Sequence, residues 1–111
     1  MQFIFDNGVY KVARITGPQH NFLGVRLDDS ESIVSIEALP IKNSERVQIE
    51  QHLVLTQVID GLREVNAELG TCYYISQILF IPSDSPSPSV YKFLTIELIR
   101  RIENKGDFLV A

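Results

Sequence analysis

The chain places an imidazole, His20, in the turn Gly17-Pro18-Gln19-His20-Asn21-Phe22. It places a carboxylate, Asp84, in the loop Pro82-Ser83-Asp84-Ser85-Pro86-Ser87-Pro88-Ser89. With the hydroxyl of Ser83 or Ser85, these are the groups of a Ser–His–Asp hydrolytic arrangement. They meet only if the strand ends that carry the turn and the loop share one edge. No nucleophile elbow of the form G-x-S-x-G accompanies them. The chain is therefore read as non-enzymatic, with no catalytic residue assigned.

The same region suits a small-ligand binder or an enzyme acting on a polar small molecule, and this is the alternative reading. A pocket between the Gly17–Phe22 turn and the Ser83–Ser89 loop would draw its polar contacts from His20, Asn21, Asp84 and Tyr91. Ser87 and Ser89 stand near the free N–H groups of a helix start, where anions bind, but Asp84 would repel an anion. Without a ligand, the turn is ordinary hairpin chemistry and the loop is a connector stiffened by its prolines.

Other chemistries find little support. Cys72 is the only cysteine, so no intrachain disulfide forms, and it reads as a small apolar filler. His20, His52 and Cys72 lack zinc-site spacing, so neither a metal nor a cofactor is expected. The formal net charge is −4. The only adjacent basic pair is Arg100-Arg101, which provides no basic face for nucleic acid. No apolar run approaches the ~20 residues of a membrane span. The first residues lack the basic region and cleavage pattern of a signal peptide, and a cytoplasmic location is expected.

The elements that must position these groups follow from periodicity. Four strands are expected first, at Phe3–Phe5, Val9–Thr16, Phe22–Leu27 and Ile33–Leu39, joined by short polar turns as an antiparallel meander. A long helix capped by Asn43 or Ser44 runs to Leu69, with Val54, Leu55, Val58, Leu62, Val65 and Leu69 in one stripe. An extended Arg46–Glu50 is the alternative for its first turns. Gly61 costs that helix about 1 kcal/mol relative to Ala, and Gly70 ends it in the left-handed conformation. Thr71–Ile81 is the most hydrophobic strand and is expected in the interior of the sheet. A second helix starts at a Ser87 cap with Pro88 in its first turn, carries the stripe Val90, Tyr91, Leu94, Leu98 and Ile102, and pairs Glu97 with Arg101. Phe108–Val110 is able to add a last short strand. The fold class is α+β: one domain over 1–111, order ββββ-α-β-α, a mainly antiparallel sheet packed by two helices.

Apolar residues stand outside the two stripes. Ile49, Leu53 and Ile59 fall off the main face of the first helix, and Phe93 and Ile96 off that of the second, at ~100° per residue. This surplus is the sequence's main indication of function. It points to a small non-enzymatic interaction or accessory module that uses apolar helix faces, with a protein partner or a second copy of itself as the occupant. Neither nucleic acid nor a membrane is an expected partner.

Overall fold

The computed structural model describes residues 1–111. Alternation drives the first three strands, β1 (Gln2–Asp6), β2 (Val9–Thr16) and β3 (Gln19–Asp28), into an antiparallel meander. The β1–β2 turn is Asn7-Gly8, both at positive φ (50° and 81°), the geometry that a two-residue hairpin demands. Phe3, Tyr10, Val12, Leu23 and Val25 all turn toward the core side of this sheet.

The fourth strand departs from the expected meander. β4 (Ser35–Ala38) does not lie beside β3. β5 (Tyr74–Phe80) inserts between them, antiparallel to β3 and parallel to β4. The reason is burial. β5 sets Ile78 and Phe80 opposite Val25 and Leu23, four buried side chains, whereas β4 carries exposed Ser35 and Glu37 and fits an edge. A bulge leaves Ser76 between the pairs Arg26–Gln77 and Leu27–Ile75, which turns Ile75 to the core side opposite Leu27. The last strand, β6 (Leu109–Val110), pairs parallel to β1. The result is a six-stranded mixed sheet in the order β4-β5-β3-β2-β1-β6.

Two helices cover one face, α1 (Gln51–Leu69) over β4 and β5 and α2 (Val90–Glu103) over β2 and β3. α1 begins later than either expected cap. The amides of Gln48 and Ile49 both donate to the Pro82 carbonyl, at 2.7 and 3.1 Å, and this long-range acceptor keeps the preceding segment out of the helix. Residues 46–50 are neither helix nor strand, and Glu50 caps α1 by accepting from the His52 amide. Gly70 closes the helix at φ 66° as the sequence implies. α2 likewise starts past Ser87 and Pro88. Its cap residue, Ser89, sits at φ 58° and makes no side-chain cap, and Gln57 of α1 accepts from the Tyr91 amide at 2.9 Å instead.

The helices run in the same direction, since Gln57 meets Tyr91 and Glu68 meets Arg100. They touch at Gly61. A Cβ there would lie 2.8 Å from the Lys92 carbonyl oxygen and 3.0 Å from Thr95 Cβ. The glycine that looks like a local defect is thus the point of closest helix approach. Arg100 pairs with Glu68 and Glu97, while Arg101 leaves the expected Glu97 pair and lies over the Phe3 ring at 4.4 Å. Cys72 is exposed and fills no part of the core. No helix is long and apolar enough to cross a membrane.

Candidate functional site

Parallel helices and an antiparallel β3–β5 pair bring one set of chain ends together. The start of β3, the loop after β5 and the starts of both helices lie at one end of the molecule, and the turn and the Ser/Pro loop meet there. The chain reverses at Ile81–Asp84, where the Asp84 amide donates to the Ile81 carbonyl at 3.1 Å. Beyond that turn the loop runs against β3. The Ser85 amide donates to the His20 carbonyl at 3.1 Å, the His20 amide donates to Ser85 Oγ at 3.1 Å, and Asn21 Nδ2 donates to the Ser85 carbonyl at 2.8 Å.

Asp84 is the centre of this cluster and is fully buried. Its Oδ2 accepts from the Phe22 amide at 2.7 Å. Its Oδ1 is buried and has no hydrogen-bond partner. His20 Nε2 stands 3.5 Å from it, past the usual 2.7–3.2 Å range. Burial pushes the Asp84 carboxyl above its ordinary value, the Phe22 amide and His20 pull it back, and the negative Glu45 adds to the rise. Tyr91 is buried below, with Asn21 Nδ2 reaching its hydroxyl at 3.5 Å. Desolvation first, and the charge of Asp84 in addition, push the Tyr91 phenol up to about 12.

The other side of the loop is held too. Ser83 Oγ donates to Glu45 Oε2 at 3.0 Å, and the Lys42 amide donates to Oε1 of the same carboxylate at 2.9 Å. The Lys42 amide first, then the Ser83 hydroxyl, hold the Glu45 carboxyl below its ordinary value. The Ser/Pro loop is therefore a clasp that joins the start of β3 to the lead-in of α1.

His20, Asn21, Asp84 and Tyr91 are brought together, but as a closed cluster. Asn21, Asp84 and Tyr91 are all buried, and their polar atoms are largely spent on one another and on the loop backbone. The geometry is also wrong for hydrolysis. Ser85 Oγ accepts from a backbone amide and Ser83 Oγ donates to Glu45, so neither hydroxyl is bonded to the imidazole. No group of three or more His, Cys, Asp or Glu side chains is placed to share a metal ion.

The apolar surplus divides. Ile49 and Ile96 belong to the core cluster, which corrects their assignment to a partner surface. Ile49 is buried because the lead-in to α1 is tied down to Pro82. Ile96 is buried because it belongs to the packed side of α2, the shared face being wider than one stripe. Ile59 is half-buried, while Leu53 and Phe93 remain exposed, with Arg14 placed 5.8 Å from the Phe93 ring.

Two clefts lie away from the clasp. One, about 260 Å³, is bounded by α1, the 31–34 segment and the start of β5. The other, about 290 Å³, lies beside β6 and includes Met1, Phe3, Arg101 and Phe108. Periodicity did not indicate either, because their walls come from segments distant in sequence. No protein-family model, curated protein or solved structure matches the chain.

Proposed function

We propose that this chain is a non-enzymatic interaction module that associates with a second copy of itself through the β6 edge of its sheet. The supporting observation is a local concentration of exposed apolar surface. Of eight exposed large hydrophobic residues, three gather at this edge: Met1 at 55%, Leu109 at 65% and Val110 at 81% exposure. Edge strands are normally kept very short or guarded by charge, proline or a bulge; β6 is short, but Leu109 and Val110 bring no charge, proline or bulge to the edge.

The backbone is suited to pairing as well. The Ala111 amide donates to the Phe5 carbonyl, so alternation turns the peptide groups of Val110 to the open side. A two-fold axis through Val110 would let each copy satisfy the other's free N–H and C=O, an isologous contact. This relocates the interaction surface from the helix faces, where Ile49 and Ile96 are taken by the core, to the sheet edge.

The test is solution mass by light scattering for the wild type and for Leu109→Lys/Val110→Lys. The expected result is a wild-type dimer and a variant monomer with unchanged circular dichroism. A wild type that stays monomeric at high micromolar concentration, or a variant that stays dimeric, overturns the proposal.

A further inference from the structure

The 260 Å³ cleft lies at the β4 side of the sheet, the edge opposite β6. Ile59 and Leu62 of α1 and Tyr74 and Ile75 of β5 supply apolar wall, and Glu31 and Arg63 stand with them. Neither Glu31 nor Arg63 forms an ion pair, with each other or with any other residue. Elsewhere on α1, Glu64 pairs with Lys92 and Glu68 with Arg100. An unpaired cation and an unpaired anion thus share the border of one apolar recess.

The wall is preformed. Asn66, which also lines the cleft, spends its side chain on holding β5 to α1. Its Nδ2 donates to the Tyr73 carbonyl at 3.0 Å, and its Oδ1 accepts from the Tyr73 amide at 3.0 Å and from Thr71 Oγ1 at 2.9 Å. Asn66 therefore keeps only one Nδ2 hydrogen for a ligand, and recognition of charge falls to Glu31 and Arg63.

We infer that this cleft binds a small zwitterion with an apolar side chain, an apolar α-amino acid. The carboxylate pairs with Arg63, the ammonium with Glu31, and the side chain lies against Ile59, Leu62 and Tyr74. Volume agrees: the recess falls below the roughly 300–1,000 Å³ of drug-sized sites, which suits a molecule of amino-acid size. Charge complementarity favours the zwitterion, since a ligand with one charge gains one ion pair where the zwitterion gains two.

The experiment is an amide NMR titration of the full chain with L-phenylalanine, phenylacetate and phenethylamine at millimolar concentration. The expected result is saturable shifts at Ile59, Arg63 and Tyr74 with phenylalanine and weaker binding of the two single-charge analogues. Arg63→Ala and Glu31→Gln, both at exposed positions, should each weaken phenylalanine binding by about two- to fivefold, the range of a partly exposed ion pair. Absence of saturable shifts overturns the inference. So do equal affinities for all three compounds, or affinities that neither variant changes. Should a variant misfold, the ligand series alone decides.

Discussion

Phe22 and Asp84, 62 positions apart, are joined by a 2.7 Å hydrogen bond from amide to carboxylate, while the second oxygen of that carboxylate is buried without a partner. Removing the side chain and removing only its charge should therefore have opposite consequences. Asp84→Ala strips the Phe22 amide of its acceptor and should cost about 1–3 kcal/mol. Asp84→Asn keeps an acceptor for Phe22 and abolishes the buried charge. Its stability at neutral pH should equal or exceed that of the wild type, read by urea denaturation.

The same carboxyl sets a pH dependence. Burial raises its folded-state value above the unfolded one, so folding favours the protonated form. Its contribution is complete below the ordinary aspartate value of about 4 and is lost as pH rises through the higher folded value. The wild type should gain stability relative to Asp84→Asn on acidification through that window. Paired melting curves at neutral and acid pH measure the gap, which should close or reverse as pH falls.

Tyr73 and Tyr91 predict late phenol ionisation. Desolvation and the hydrogen bond to Glu103 push Tyr73 up to about 12, and desolvation does the same for Tyr91. Their raised values favour the folded state below the ordinary tyrosine value, and that contribution fades as pH climbs from about 10 to 12. Ultraviolet titration of the wild type should show late phenol ionisation from Tyr73 and Tyr91. Tyr91→Phe should remove one late phenol.

Gly61 inverts a propensity argument. In an isolated helix Gly→Ala stabilises by about 1 kcal/mol. Here the new Cβ would stand 2.8 Å from the Lys92 carbonyl oxygen, a backbone atom without freedom to retreat. Gly61→Ala should lower the melting temperature and force α1 and α2 apart, the change in sign being the diagnostic.

Phe93 and Ile96 separate two kinds of off-stripe residue. Phe93→Lys at an exposed position forfeits only the contact with Arg14, about 0.5–1 kcal/mol. Ile96→Lys buries a charge in the core and should cost several times as much in chemical denaturation. Equal effects would contradict the burial described for Ile96.

Much of the architecture is legible in local pattern. Alternation marks β1, β2 and β3, and Asn7-Gly8 marks their first turn. The stripe from Val54 to Leu69, closed by Gly70, marks α1, and Phe108–Val110 marks the last strand. The meeting of turn and loop was a conditional reading, because nothing near His20 encodes the position of Asp84. The helix starts differ from the local cap signals for a related reason. Asn43, Ser44 and Ser87 are good local caps, yet the acceptors that matter, the Pro82 carbonyl and the Gln57 side chain, come from elsewhere in the chain.

The sequence by itself determined the α+β class with two helices, because periodicity and turn chemistry act over a few residues. Tertiary structure alone decided that β5 displaces β4 from β3, that Gly61 is a helix contact, that Ile49 and Ile96 are core, and that the Ser/Pro loop is a clasp. Each of these depends on which distant surface is available for burial or which distant carbonyl accepts a hydrogen bond. That competition is settled only when the whole chain packs.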